Sequence, residues 1–294
     1  MTTMASPSHV ADFVAHRRTL TGLAYRMLGS RAEAEDVVQD AYLRWHNVDR
    51  AAIEEPRGYL ATVVTRLCLD RMKSARARRE FYVGQWLPEP VVDEAFDDET
   101  AGDLAHDITI ALMLVLERLS PLERASFLLH DVFGLDFAEV SHALGRSEAA
   151  CRQLGARARQ HIAAGRPRFP TSSEGGRRLA AAFHQAATSG DAQALTQMLS
   201  QDVVLYSDGG GKRLAALKPI LGREKVLRFL DGVSRKNASL ATLKVRDATI
   251  NGLPGFVLRG EDGAIDTIAF ESDDGHITAI YIMRNPDKLR HVRF

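Results

Sequence analysis

Cysteine, tryptophan, long apolar runs and net charge are all scarce in this sequence, and each scarcity excludes something. Two cysteines, Cys68 and Cys151, lie far apart in 294 residues with no CxxC pair and no histidine at ligand spacing. That argues against a structural zinc and against a disulfide framework. The longest apolar run, Ile108 to Leu116, is broken by Thr109 and is too short to cross a bilayer. The first dozen residues are polar and lack an apolar h-region, so a cytoplasmic chain without a secretory signal is expected. With 45% apolar residues the chain is not disordered, collagen-like or a coiled coil. Its 38 basic side chains cancel 38 acidic ones. That balance first argues against a nucleic-acid binder, which usually carries a cationic surplus to neutralise phosphates.

The balance is local in origin. Residues 81–107 carry eight acidic side chains and no basic one, whereas residues 1–80, 108–170 and 171–294 stand at +3, +2 and +3. The acidic stretch contains Pro88, Pro90 and the cluster Asp93, Glu94, Asp97, Asp98 and Glu99, and it reads as an interdomain linker. A second break, Gly165 to Gly176, mixes Pro, Ser and Gly without an apolar period. These breaks predict a helical domain over 1–80, a linker over 81–107, a second helical domain over 108–166, a short linker over 167–176 and a third domain over 177–294.

In the first domain Ser30 and Glu33 form a capping box that opens a helix over 32–45, with Val37, Val38, Ala41, Tyr42 and Trp45 on its apolar stripe. The opposite face carries Glu35, Asp36, Gln39 and Asp40. Pro56 starts the next helix, whose cations include Arg57, Arg66, Arg71, Lys73, Arg76, Arg78 and Arg79. On spacing alone both charged faces read as solvated surface.

The second domain is more specific. Ser120-Pro121 with Glu123 caps a helix reaching about Asp131, and Gly134 ends it; Asp136 with Glu139 caps a short helix stopped by Gly145; Ser147 caps a third helix over 148–163. This is a helix-turn-helix. On its third helix Cys151, Leu154, Ala158 and Ile162 form the inward stripe, while Arg152, Gln153, Ala156, Arg157, Arg159 and Gln160 point away. Residues 146–168 carry six arginines, Arg146, Arg166 and Arg168 among them, against one glutamate. A helix that reads DNA needs small or polar residues near its start and arginines beyond them.

These residues carry a resemblance. Residues 11–79, with Ser-Arg-Ala-Glu-Ala-Glu-Asp-Val-Val-Gln-Asp from Ser30, resemble region 2 of extracytoplasmic-function sigma factors of the sigma-70 family; residues 119–161, with Phe-Ala-Glu-Val-Ser-His-Ala-Leu-Gly-Arg-Ser from Phe137, resemble their region 4. Three motifs narrow this to the SigJ-like subgroup with a C-terminal SnoaL-like extension: Trp86, Leu87, Pro88, Glu89 and Pro90 in the linker; Asp208, Gly209, Gly210, Gly211 and Lys212 in the third domain; and Asn285, Pro286, Asp287, Lys288 and Leu289 near the end.

The resemblance implies an alternative sigma factor whose partners are core RNA polymerase, through the β′ clamp helices and β flap, and promoter DNA. It implies that Asp36, Gln39 and Asp40 meet the polymerase. Asn47, Arg57, Arg66 and Arg71 would read the −10 element, and Arg146, Arg152, Gln153, Arg157 and Arg159 the −35 element. The three subgroup motifs would form a regulatory contact. Many members have Asn where this chain has Arg66, and Ala149, Ala150 and Leu154 replace the commoner Gly, Thr and Arg.

The third domain reads as α+β, with helices over 179–189, 192–199 and 224–235 and strands over 203–206, 213–220, 241–250, 255–258, 264–271 and 276–283, the last two joined by an Asp273-Asp274-Gly275 hairpin turn. The expected fold class is therefore multidomain: two all-α sigma domains, a region 2 helical bundle and a region 4 helix-turn-helix, plus a C-terminal α+β cone of the SnoaL or nuclear-transport-factor type. A cone pocket could take a small-molecule ligand, and His184, Tyr206, Asp266 and Tyr281 are the residues that could do chemistry there. Neither an enzyme nor a cofactor is expected, since fold analogy alone is a weak warrant for catalysis. Two other readings compete with the sigma factor: a helix-turn-helix regulator with a ligand-sensing domain, and a SnoaL-class enzyme with a regulatory N-terminus.

Overall fold

The computed structural model describes residues 7–49, 53–80, 82–93, 109–165, 173–236 and 243–294. Arg166, Arg168 and the acidic residues 94–107 lie outside them, as do the side chains of Arg76, Arg78 and Arg79. The chain forms two compact units, one from residues 1–80 with 111–167 and one from 81–110 with 168–294. No described helix is long and apolar enough to cross a membrane.

The first unit holds both helical domains. Helices α1 (Pro7–Leu28), α2 (Arg31–His46) and α3 (Pro56–Glu80) pack against one another around Leu23, Val37, Trp45, Leu60 and Val64, all fully buried. The Ser30 hydroxyl accepts from the Glu33 amide and starts α2 as expected. Next come α4 (Ile110–Glu117) and α5 (Pro121–Phe127), which widens into a π-type turn over Leu128–Val132. Helices α6 (Phe137–Leu144) and α7 (Glu148–Gly165) complete the helix-turn-helix. Both predicted capping boxes, Ser120 with Glu123 and Asp136 with Glu139, are formed in both directions. Gly134 and Gly145 adopt positive φ at the predicted stops. Cys68 and Cys151 are buried and unpaired, and burial pushes the Cys68 thiol well up from its ordinary range.

Region 4 packs directly on region 2. Arg124, the most deeply buried cation, reaches from α5 to the carbonyl of Met27 at the end of α1 (2.7 Å), and also holds Leu116 O (2.8 Å) and Glu117 (3.0 Å). Burial lowers its pKa to about 10. Three carbonyl or carboxylate partners offset the cost of enclosing that charge.

The second unit is one seven-stranded sheet in the order β1-β4-β5-β6-β7-β2-β3, covered on its concave face by helices. Its elements are β1 (Val92–Asp93), α8 (Ser173–Ser189), α9 (Ala192–Met198), β2 (Leu199–Asp208), β3 (Ile220–Leu221), α10 (Arg223–Lys236), β4 (Lys244–Ile250), β5 (Leu253–Arg259), β6 (Ile265–Asp273) and β7 (His276–Met283). Neighbouring strands are antiparallel except β2 and β7, which run parallel. Asp274 and Gly275, both at positive φ, make the predicted hairpin turn. The fold is thus two helical sigma-type domains with an α+β cone.

Three expectations change. The strand expected over 213–220 is only Ile220–Leu221, because Leu214 and Leu217 face solvent and the chain there turns instead of pairing. The break expected up to Gly176 ends earlier, at Ser173, where α8 begins; Gly176 lies against the Pro254 ring, where an added side chain would stand 3.0 Å from Pro254 Cγ. Residues 82–93, expected within a linker, are built into the second unit and end as its edge strand β1.

Candidate nucleic-acid interface and the interdomain strap

Helix α7 presents Arg152, Gln153, Arg157 and Arg159 to solvent, with Arg146 exposed just before it, while Cys151, Leu154 and Ala158 are buried beneath. Internal partners orient the arginines. Arg152 pairs with Glu148 at 2.9 Å and lies 4.8 Å above the Phe137 ring; Arg157 stands 3.5 Å from Glu123, and Arg159 meets Asp131 at 3.0 Å. Burial opposes the charge of Glu123. The Ser120 hydroxyl and amide, together with Arg157, outweigh it and hold the carboxyl below its usual range.

On region 2, Asp36 and Gln39 are exposed and Asp40 is partly so. Arg71 bridges this acidic face, 3.5 Å from Asp36, 3.0 Å from Asp40 and 3.2 Å from the Glu33 carbonyl, so the structure groups it with the acidic face instead of the other arginines. Asn47 is exposed, and its amide donates back to Leu43 O at the end of α2. Arg57 and Arg66 turn to region 4: Arg57 donates to Phe133 O (2.6 Å), and Arg66 to His142 O (2.6 Å) and Ala143 O (3.0 Å). Both sets of carbonyls close helical turns of the helix-turn-helix, where the partial negative charge of a helix end favours a cation. Tyr59 packs on Trp45 with ring centroids 5.8 Å apart.

The three subgroup motifs meet in the second unit. Asp208 ends β2 fully buried, and four donors converge on its carboxylate: Tyr82 Oη (2.6 Å), Leu87 N (2.9 Å), Gly210 N (2.9 Å) and Lys288 Nζ (2.8 Å). Lys288 also donates to Leu87 O at 2.5 Å and sits 4.4 Å from the Trp86 ring centroid and 4.8 Å from that of Tyr82. Asn285 donates to Tyr82 Oη (2.8 Å) and accepts from Asp287 N (3.0 Å), while Lys212 and Asp287 pair at the surface at 2.5 Å. Leu87, Pro88, Pro90 and Leu289 are buried, Glu89 is half-buried and Pro286 is exposed. The glycines are required by this closure. A side chain on Gly209 would collide with the Arg213 carbonyl, and one on Gly210, at φ +60°, would collide with Asn285. Gly211 packs against Val83.

Three residues complete this strap that sequence reading missed. Tyr82 supplies the hydroxyl. Asn251, buried at positive φ, accepts from Val91 N through Oδ1 (3.1 Å) and donates its backbone N–H to Val91 O (2.8 Å). His291 lies 2.7 Å from Pro90 O. Only the positive φ demanded between β4 and β5 could have flagged Asn251, through its Asn-Gly dipeptide. Burial, the hydrogen bond to Asp208 and that carboxylate's charge all raise the Tyr82 pKa, so its hydroxyl stays protonated as a donor.

The four residues considered for chemistry do not come together: three are on strands and His184 is on α8. His184 and Asp266 line the cavity inside the cone. Tyr206 and Tyr281 stack on each other at 5.3 Å elsewhere, and Tyr281 donates to the buried Glu271 at 2.7 Å. Among the described residues no group of histidines, cysteines or carboxylates could hold a metal ion.

Comparison with known proteins agrees with this architecture. The Sigma-70 region 2 family matches residues 13–78, and the Sigma-70, region 4 family matches residues 109–162. The chain is 41% identical over 294 residues to the ECF RNA polymerase sigma factor SigJ of Mycobacterium tuberculosis, covering 95% of this chain and 92% of that one. It is 31% identical over 285 residues to the probable ECF RNA polymerase sigma factor SigI of the same organism, with 96% and 95% covered. The crystal structure of Mycobacterium tuberculosis SigJ superposes with a TM-score of 0.78 at 35% identity, covering 96% of this chain and 98% of that one. With both sigma regions folded as helical domains and the likeness running the length of the chain, the protein belongs to the extracytoplasmic-function sigma factors and directs transcription initiation as an alternative sigma factor.

Proposed function

We propose that the free factor keeps its promoter-reading arginines occupied, and that the C-terminal domain controls it in cis by holding the strap. One observation carries the first part: Arg57 and Arg66, the −10 candidates, are bonded to carbonyls of the helix-turn-helix. Melted bases need those cations, so region 4 must leave before region 2 can use them. Polymerase supplies the competing contacts, the β′ clamp helices for Asp36, Gln39 and Asp40 and the β flap for region 4. Arg71 belongs to that polymerase face by its ion pairs. The −35 duplex takes the exposed polar face of α7, with Arg146 just before the helix and Arg152 and Gln153 at its start nearest the bases, and Arg157 and Arg159 toward phosphates.

The second part rests on chain order. The strap lies between region 2 and region 4 in sequence, so holding residues 82–93 in the C-terminal sheet removes them from the connector between the two domains. The acidic residues that follow, 94–107, would weaken nonspecific binding of DNA by the free factor. The protein acts where its polymerase is, in the cytoplasm, and its cone serves regulation in place of catalysis.

Binding of promoter DNA by the purified factor and by its complex with core polymerase tests the first part. The complex is expected to bind the −10 and −35 elements, and the free chain to fail on the −10 element. Arg152→Ala is expected to weaken the complex on −35 duplex by about 1–3 kcal/mol without loss of core association. A free chain that binds −10 single strands as tightly as the complex does would refute the occupied state.

A further inference from the structure

The concave face of the sheet and helices α8 and α10 enclose a cavity of about 550 Å³. Small-molecule sites are commonly about 300–1,000 Å³. Its body is apolar, walled by Phe183, Leu230, Phe256, Leu258, Ile268 and Phe270. One part of its wall is charged. Strand alternation turns Asp266 to the same face as Ile268 and Phe270, Arg284 follows the end of β7, and Arg213 follows the glycine turn. Asp266 accepts from Arg284 Nε at 3.2 Å through Oδ2, while its buried Oδ1 accepts no hydrogen bond and lies 3.4 Å from Arg213 Nη1. Arg284 spends Nη1 on Leu214 O (2.7 Å).

One carboxylate therefore faces two guanidiniums, leaving one positive charge in excess within this partly buried cluster on the wall of an apolar chamber. Asp231, Glu261 and Asp262 also border the cavity and are exposed; Asp231 is paired with Arg235 at 2.9 Å, and Asp262 is close enough to Asp266 to add to burial in pushing its pKa up. Water screens the exposed carboxylates more than the partly buried cluster. A partly buried charge without a counter-ion is costly, and a guanidinium fork matches a planar carboxylate. A phosphate dianion would overcompensate the excess beside Asp266, and a neutral polycycle would leave it unanswered.

We propose that this cavity binds a small organic acid with one carboxylate and an apolar body, the carboxylate received by Arg213 and Arg284 and the body by the phenylalanine wall. This goes beyond the promoter and polymerase roles, which stand whether or not the cavity is filled.

Calorimetric titration of the full-length chain with decanoate, decanol and decyltrimethylammonium tests it. Decanoate is expected to bind, and the alcohol and the cation to bind at least about tenfold more weakly. Arg213→Met should weaken decanoate about tenfold and leave decanol unchanged. Asp266→Asn removes the internal competitor for the arginines and should tighten decanoate, a gain that misfolding cannot produce. Equal affinity for decanoate and decanol, no binding of any of the three, or unchanged decanoate affinity in Arg213→Met would each overturn the assignment.

Discussion

Asp208→Asn removes one negative charge from the centre of the strap while keeping the side chain's shape. In the native carboxylate, Oδ1 accepts from Tyr82 and Gly210, and Oδ2 accepts from Leu87 N and Lys288 Nζ. Asparagine has one accepting oxygen, so its amide must face two of these four donors. Loss of one member of a buried ion pair costs about 3–5 kcal/mol. Lys288 keeps Leu87 O and two aromatic faces, which places the cost near the lower end, about 3 kcal/mol, or roughly a hundredfold in the opening equilibrium. Hydrogen exchange measured on peptides covering residues 82–93 reads this opening directly, since the Leu87 and Val91 amides are bonded to Asp208 and Asn251. Their exchange should accelerate roughly a hundredfold while β6, β7 and the helix-turn-helix stay protected. Lys288→Met leaves the buried carboxylate three donors but no counter-ion and should cost a similar amount, about 3 kcal/mol, and the double variant should cost less than the sum of the two. Unchanged exchange in 82–93, or equal acceleration across the whole sheet, would show that Asp208 does not hold the strap.

Three further outcomes are expected. The raised Tyr82 pKa gives stability that is complete below the ordinary tyrosine value of 10.0 and is lost as pH rises above it; Tyr82→Phe should reduce the alkaline slope in the unfolding of the C-terminal unit, leaving the part that the likewise raised Tyr281 supplies, and an unchanged slope would assign it elsewhere. Arg124→Met leaves the Met27 and Leu116 carbonyls without their donor and should destabilise the helical unit by about 2–4 kcal/mol, followed by urea unfolding in a Trp86→Phe background where Trp45 is the one remaining tryptophan; a neutral effect would mean the bridge contributes nothing. Gly210→Ala should speed exchange of the strap, whereas Gly275→Ala, at φ +74° with open space around it, should cost only about 1 kcal/mol and leave the strap protected; equal effects at both sites would remove the steric argument.

Local signals made the helix-turn-helix readable. Ser120 with Glu123, Asp136 with Glu139, and the stops at Gly134 and Gly145 act within a few residues of themselves, so their meaning survives without knowledge of the rest of the chain. The strap was not readable in this way. Its partners lie 121 residues away for Leu87 and Asp208, 160 for Val91 and Asn251, and 201 for Lys288 and Leu87, and its few residues carry no period of their own. Family motifs implied that Trp86 to Pro90 meets the other two motifs, but not through which atoms, and Tyr82 and His291 lie outside the motifs. Arg57, Arg66 and Arg71 show a related limit. A cation's charge is visible in sequence, but carbonyls on a distant helix turn and carboxylates on the next helix are not, and they decide which way it points. In the cone, the alternation of β6 put Asp266 on a predictable face, whereas the pairing of Asp266 with Arg213 needed a segment that was read as a strand and is a turn.

Transcription in vitro with core polymerase, comparing the full-length chain with its Asp208→Asn variant on one promoter while exchange at residues 82–93 is followed on the same samples, tests control through the strap most directly. Several-fold altered output from an unchanged start site, in step with strap release, is the predicted result. Identical output from a variant whose strap is demonstrably released would contradict it.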